Sequence, residues 1–346
     1  MKIDFSKPSE DIAIENLKLL NNNDSLLSRQ QRILKTLAKY PQRSICLICS
    51  YSLKNAAVFK HRNIDYYFCP VCNHIQSKPQ PPQEYPIKLK GGISFDQIYP
   101  KLDIKEYEHR KNRIYRPKLD WILDCSQELG LERKEMINMK WFELGCGAGY
   151  FLDALADVGA NYFSGVDSDI KLVNIANKML PSPSVRQFQG SLAEVVNTNH
   201  ADIYVAFFVL EHIEDTKLFL KAMYRRSAGT IFIFSVPVFG FASILESGSN
   251  CFFARSLDSV IHTQLYTDRS IKYCLKQAGY KIIAQWIFGQ DSADLLRMLL
   301  ITLKDKYPKL LLNDIKTKLK RVQDPIQQVL DINFMSDARH IIAVKR

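Results

Sequence analysis

The chain has 346 residues, 47% of them hydrophobic and 24% charged, which suits two or three folded domains of about 100–200 residues each and excludes a disordered tail. Its eight cysteines are too few for a disulfide scaffold, and Met1-Lys-Ile-Asp-Phe-Ser-Lys-Pro8 lacks the apolar run of a secretory signal, so a reducing cytoplasm is expected. The net charge of +11 is uneven: Lys+Arg against Asp+Glu is 21 to 11 over residues 1–118, 16 to 20 over 119–300 and 10 to 5 over 301–346, so the basic first third is either a solvated face or the footprint of an anionic partner such as nucleic acid or a phosphorylated sugar.

Residues 10–39 read as helical, with apolar positions at Ile12, Ile14, Leu17 and Leu20, then at Leu26, Leu27, Ile33, Leu34 and Leu37. The break Asn21-Asn-Asn-Asp24-Ser25 supplies an N-cap for a second helix, which Pro41 closes. Cys46-Leu-Ile-Cys49 and Cys69-Pro-Val-Cys72 then stand 19 residues apart. Two such hooks bring four thiolates to the corners of a tetrahedron, the donor set of structural Zn2+. A thioredoxin-like redox site would use one hook beside a helix. Val58-Phe59 and Tyr66-Tyr67-Phe68 suit the short strands of a zinc ribbon. His61 and His74 are spare ligands, and Cys125, Cys146, Cys251 and Cys274 show no ligand spacing and read as ordinary buried residues. Residues 79–92 are Pro-rich and end in Gly91-Gly92, which is linker chemistry. A charged, Tyr/Arg-rich helix follows over 103–130.

From Lys140 the pattern becomes strand, glycine turn, helix and strand, repeated, which is the mark of a parallel α/β sheet. Met139–Leu144 is a strand, and Gly145-Cys-Gly147-Ala-Gly149 turns it into the helix Tyr150–Val158. A dinucleotide fingerprint would need a glycine where Tyr150 stands. A second strand, Tyr162–Val166, ends at Asp167, 18 residues beyond Gly149, and an acid there can accept both ribose hydroxyls. Val185–Phe188 is a third strand, followed by Gly190-Ser191-Leu192. A fourth, Asp202–Phe208, runs into Val209-Leu-Glu211-His212-Ile-Glu-Asp215. The uncharged stretch Ser227–Leu245 is broken by Gly229, Pro237 and Gly240, so it reads as a buried fifth strand over Thr230–Val236 and a loop rather than a membrane span. Tyr280–Trp286 and Arg339–Lys345 read as the last two strands. Between them, residues 292–332 form a helical stretch packed on the sheet, closing as a lid, or offering a dimer contact.

The G-x-G-x-G turn, the acid ending the second strand and the Leu-Glu-His-Ile run, in this order, resemble the class I S-adenosylmethionine (SAM) methyltransferases over residues 120–290. The resemblance implies an α/β, doubly wound, seven-stranded Rossmann-like sheet with an antiparallel last strand, preceded by a zinc ribbon and N-terminal helices. The divisions expected are a helical arm over 1–43, the zinc module over 44–78, linker and helix over 79–118, and the methyltransferase domain over 119–346. It implies cofactor contacts from Glu143, Gly145, Gly147, Gly149, Asp167, Ser191, Leu192 and Phe208. Ser191 departs from the acid often found at its position. A four-Cys module ahead of such a domain resembles bacterial enzymes of glycan and natural-product tailoring, distantly the deoxysugar C-methyltransferases, and so do His262-Thr-Gln-Leu-Tyr266-Thr and Trp286-Ile-Phe-Gly289-Gln-Asp291.

The implied chemistry is attack on the SAM methyl by a hydroxyl oxygen of a small-molecule or saccharide acceptor, helped by a base. His262 and His212 are the candidates for that base, with Tyr266 and Glu246 behind them, since an imidazole accepts a proton near neutral pH. Methylation of RNA through the basic zinc-containing region is the alternative, as is methylation of a sugar carbon. The Asn/Asp-Pro-Pro-aromatic motif of amino-directed nucleic-acid enzymes is absent after the fourth strand, where Phe207-Phe-Val-Leu stands. A monomer or a homodimer is expected.

Overall fold

The runs of β-branched and aromatic residues after Lys140 lie side by side in one sheet. The computed structural model describes residues 1–81, 103–257 and 262–346. In chain order the strands among these residues are β1 (Lys2–Phe5), β2 (Ala57–His61), β3 (Ile64–Phe68), β4 (Ile75–Ser77), β5 (Trp141–Leu144), β6 (Phe163–Asp167), β7 (Val185–Gln187), β8 (Ile203–Phe207), β9 (Ile231–Pro237), β10 (Gln264–Leu265), β11 (Tyr280–Ile287) and β12 (Ala338–Lys345). The large sheet has the order β1-β11-β12-β9-β8-β5-β6-β7. Within it β12 is antiparallel to both neighbours, β11 and β9, and the other pairs are parallel. The chain order reverses around β5, whose neighbours are β6 and β8, and the crevice beyond the carboxyl ends of these strands is where an open α/β sheet binds ligands.

Both faces of this sheet are apolar, as parallel strands require. Trp141, Ile203 and Ile233 pack with Leu119, Phe151 and Leu155 on one face. Phe142, Tyr204 and Phe232 pack with Phe219, Met223 and Leu275 on the other.

The expected count of seven strands is corrected to eight. The chain start, read as part of a helical arm, pairs Lys2–Phe5 in parallel with Ala284–Ile287. Two indoles fix it there: Trp121 donates to the Asp4 carboxylate at 2.9 Å and Trp286 donates to the Ser6 carbonyl at 2.9 Å. Four residues are too short a run for periodicity to mark. The helices Ala13–Asn21 and Asn23–Leu37 follow. The N-cap expected between them is not made by a side chain, since Asn22 gives no capping hydrogen bond, and the second helix ends at Leu37, ahead of Pro41. After Pro237, the expected loop contains a helix, Phe241–Gly248.

The cysteine hooks belong to a second sheet of order β10-β4-β3-β2. Its fourth strand, Gln264–Leu265, comes from far along the chain. Ile33, Leu34 and Leu37 close this sheet's other face against Ile64, Tyr66, Ile75 and Leu265. The Pro-rich linker expected over 79–92 lies mostly outside the described residues.

The helical stretch after it is bent over the crevice. Ile104–Arg110 passes through a π-helical turn, Lys111–Tyr115, into Arg116–Asp124. Pro117 has no N–H for the Arg113 carbonyl; that carbonyl accepts from the Lys7 ammonium at 2.6 Å, and the Arg116 N–H reaches back to Lys111. The wide turn lays Tyr107 and Tyr115 on the ring of Tyr150, at 4.5 and 5.3 Å between centroids. Residues 292–332 form two helices, Asp291–Leu303 and Lys309–Ile332, which pack on each other. No helix among the described residues is long and apolar enough to cross a membrane.

Candidate active site

β5 ends at Leu144, and the turn that follows it needs glycine for two reasons. Gly145, Gly147 and Gly149 have φ of +66°, +54° and +80°, the left-handed region that L side chains rarely adopt. A Cβ on Gly145 would stand 2.7 Å from Val209 Cγ2, and one on Gly149 would stand 2.9 Å from Ala176 Cβ. At Gly147 a Cβ would meet nothing within 4 Å, so this backbone borders open space in the crevice. Its N–H donates to Asp167 Oδ2 at 2.8 Å, and Asp169 N–H donates to Oδ1 at 2.8 Å. These bonds fix the Asp167 carboxylate at the glycine turn, and a carboxylate has about four acceptor sites. Ser191 caps the helix Leu192–Thr198 by accepting from Ala193 N–H at 3.1 Å, so its hydroxyl has a structural task. Phe208 follows β8 with φ of +55° and stays partly exposed, at the mouth of the crevice.

Glu143 is buried within β5, and its Oε2 has no hydrogen-bond partner. Burial, reinforced by the nearby Asp167 charge, pushes its carboxyl well above the usual range, against the opposing pull of Lys118. Lys118 is a residue that sequence reasoning missed. It is 5% exposed, and its ammonium faces the rings of Tyr115, Phe207 and Phe208 at 5.4, 4.8 and 5.0 Å. Burial, with Lys7 and Arg110 adding repulsion, lowers it to about 7. The available signal was its place four residues before Ile122, on the apolar stripe of its helix.

Beyond Phe208 the chain makes a 3-10 turn, Leu210–His212, and there the two histidine candidates meet. The His212 and His262 rings stack with centroids 5.0 Å apart. Each Nε2 lies 3.9 Å from Glu211 Oε1. His262 Nδ1 lies 3.1 Å from the Arg255 carbonyl; a carbonyl only accepts, so Nδ1 carries the proton and Nε2 presents a lone pair. Burial holds His262 down to about 4, so it is neutral at pH 7. Glu211, also missed, is fully buried with neither oxygen hydrogen-bonded, and burial raises it to about 8. Its signal was adjacency to His212 in the run after β8. Tyr266 stands apart from this cluster: it is buried beside His74 and donates its hydroxyl to the Leu210 carbonyl at 3.3 Å. Glu246 is committed as well, accepting from the backbone N–H groups of Arg255, Ser256 and Leu257.

The four hook cysteines converge. Cys46 Sγ lies 3.5 Å from Cys72 Sγ, Cys49 Sγ lies 3.4 Å from Cys69 Sγ, and all four sulfurs fall within 4.8 Å of one another. Zinc–sulfur bonds of about 2.3 Å in a tetrahedron set the sulfurs roughly 3.8 Å apart, so this donor set fits Zn2+. The cysteine-bearing sheet also braces the histidine cluster. Gln264 of β10 donates its amide NH2 to the carbonyls of Leu210 and Ile213 at 3.2 and 2.7 Å, and its Oε1 accepts from His74 Nε2–H at 2.9 Å.

Residues 107–285 match the family described as a methyltransferase domain. The chain belongs to the methyltransferase family. A probable S-adenosylmethionine-dependent methyltransferase of Mycolicibacterium smegmatis is 31% identical over 143 residues, 40% of this chain and 51% of the relative; the chain thus spans about half the length of this curated relative. Among solved structures, magnesium protoporphyrin IX methyltransferase from Synechocystis with bound SAH has a TM-score of 0.45 at 13% identity, covering 73% of this chain and 93% of its own. A sarcosine dimethylglycine methyltransferase from Galdieria sulphuraria has a TM-score of 0.44 at 12% identity, covering 76% and 97%.

The cofactor implied by this methyltransferase family fits the crevice. Gly147 leaves room where a Cβ would intrude, the Asp167 carboxylate holds the Gly147 N–H at the same edge, and the buried Glu143 Oε2 nearby has no hydrogen-bond partner and can accept from the amino end of an amino acid.

Proposed function

We propose that the protein transfers the methyl group of SAM to a hydroxyl oxygen of a small-molecule or saccharide acceptor, with structural zinc in the four-cysteine site. SAM supplies an electrophilic methyl when bound. Gly145, Gly147 and Gly149 would border it, Asp167 would hold its ribose, and Phe208 would line the mouth where the acceptor enters. The chain's own contribution is positioning, which converts a two-body encounter into a near-unimolecular one, and removal of the acceptor's proton.

The observation that carries the reading is the cluster of Glu211, His212 and His262, set directly after Phe208. Its geometry favours His262 as the base. The Nδ1–H is fixed on the Arg255 carbonyl, so the neutral ring offers Nε2 to a hydroxyl proton, and the Glu211 carboxyl beside it, once ionised, would stabilise the imidazolium that forms. His212, stacked on His262, limits how far that ring can turn. Tyr266 is the weaker candidate because its hydroxyl already serves Leu210.

Charge pairing favours a small acceptor over RNA. Several cations of the basic first third are already matched to acids: Arg43 to Glu214, Lys18 to Glu106, Arg113 to Asp11, and Lys111 to Asp153 and Asp157. Such pairing leaves less positive surface for a phosphate backbone, whose binding depends on unpaired Lys and Arg. The test is mass spectrometry of metabolites from a strain lacking the gene. The expected result is a compound short by one CH2, restored as its O-methyl form by purified protein and SAM. A restored methyl that NMR places on carbon, or one found in RNA, would overturn the reading.

A further inference from the structure

Three features of the cluster point to a positive centre between its members. Glu211 has 0% exposure, yet neither of its carboxylate oxygens has a hydrogen-bond donor. A carboxyl group buried in that condition is destabilising in either protonation state unless something else meets it. Two imidazoles stack at 5.0 Å, an arrangement that cannot tolerate both being charged. Their Nε2 atoms also lie 3.9 Å from the same carboxylate oxygen, and at His262 it is a lone pair that is turned towards that acceptor. Lone pairs converging on a common point repel unless a proton or a positive centre lies between them, and 3.9 Å is too long for a hydrogen bond to carry that proton.

We propose that Glu211, His212 and His262 form a binding site for a divalent transition cation of the zinc type, separate from the four-cysteine site. Two imidazoles and one carboxylate make a three-protein-ligand set that leaves a coordination position open. Metal bonds of about 2.0–2.2 Å in a tetrahedron put ligand atoms roughly 3.3–3.6 Å apart, so the three atoms, two pairs of which stand at 3.9 Å and all of which lie within 4.8 Å of one another, need to close by a few tenths of an ångström to at most about 1.5 Å. His262 already has the support such ligands carry, its other ring nitrogen donating to a backbone carbonyl. The segments bearing the ligands are tied together by Gln264, whose amide bonds the carbonyls on either side of the Glu211–His212 pair. The ion would be set apart from the cysteine site by its ligands, which are nitrogen and oxygen rather than sulfur.

The inference stands on the cluster's geometry and uses the methyl-transfer reading only to say what the open position faces. With an ion bound, Glu211, His212 and His262 would hold it and the ion would supply Lewis acidity to an acceptor hydroxyl at the open position; His262 would then serve as a ligand, and it would keep the role of base only in the protein without the ion.

The test uses the full chain with its cysteine site first filled with Zn2+, followed by titration with Co2+. The expected result is one further ion per chain, with visible ligand-field absorption and no thiolate charge-transfer bands. Glu211→Gln and His262→Gln should each lose this second ion while retaining the first. X-ray absorption of cobalt in the parent protein, which needs no variant, should show nitrogen and oxygen neighbours with imidazole scattering. Absence of a second ion in the parent, sulfur as the cobalt neighbour, or undiminished binding in both variants would overturn the proposal. Those outcomes leave the SAM reading untouched, since SAH affinity measured on the same samples reports on it independently.

Discussion

Arg43 grips Glu214 through two hydrogen bonds of 2.7 and 2.9 Å, with the guanidinium only 2% exposed. The pair joins the segment just ahead of the first cysteine hook to the segment just after Glu211 and His212. Glu214 also accepts from the Thr263 hydroxyl at 2.8 Å, next to His262, so one carboxylate gathers three separate stretches of chain. Removing one partner of a buried pair leaves the other charge uncompensated, which costs about 3–5 kcal/mol. Arg43→Met should therefore lower the unfolding free energy by that order in urea, and the double variant with Glu214→Gln should recover part of the loss. A single variant within 0.5 kcal/mol or so of the parent would show that the pair does not brace the site.

The same connection gives the zinc site reach beyond its own sheet. A small module draws its folding free energy from the bound metal. Cys69→Ser is expected to lose zinc by elemental analysis and to raise hydrogen exchange over residues 44–78. Because Gln264 and Arg43 link that sheet to the Leu210–Glu214 segment, exchange should rise there too, while SAH binding persists. Protein prepared without chelator and found free of zinc would refute the assignment.

On the cofactor side, Asp167 is the residue whose loss is most readable. A charge-assisted hydrogen bond contributes about 1.5–3 kcal/mol, so Asp167→Ala should weaken SAH binding roughly tenfold to a hundredfold in calorimetry. The carboxylate also anchors Gly147 and Asp169 N–H groups, and so a circular dichroism melt is needed beside the titration. Unchanged affinity in a folded variant would remove Asp167 from the cofactor site.

What could be read from the sequence was whatever leaves a local mark. The glycine turn, the acid ending β6 and the cysteine hooks each follow from residue type and spacing within a short window, and the antiparallel last strand follows from the family resemblance those motifs carry. The eighth strand did not show because Lys2–Phe5 is defined by its partner Tyr280–Ile287, not by any pattern of its own. Gln264–Leu265 joined the cysteine-bearing sheet for the same reason. At the site, His212 and His262 were visible as separate candidates, but their contact depends on the tertiary link through Gln264. Lys118 was hidden because a lysine on a charged helix reads as solvated, and only the bend at Pro117 and the rings of Phe207 and Phe208 show where it points.

Lys118 allows a test by pH in the absence of any cofactor. Its ammonium is held down to about 7 in the folded protein, mainly by burial, whereas in the unfolded chain it stays near the ordinary lysine value of about 10.4. Between those two limits the unfolded chain binds more protons than the folded one, so stability rises with pH. For one proton the slope is at most about 1.4 kcal/mol per pH unit. Below about 7 both states are protonated and the burial penalty is present in full; above about 10.4 both are neutral and it has gone. Lys118→Met keeps the apolar stem against Phe207 and Phe208 and has no proton to lose. Urea unfolding at pH 7, 8 and 9 should show the variant more stable than the parent at pH 7, with the gap closing as pH rises. Taking the difference between the two proteins cancels the cysteines and tyrosines that titrate in the same window. If the two stability profiles run parallel, the Lys118 ammonium is stabilised in the folded chain by a partner other than those three aromatic rings.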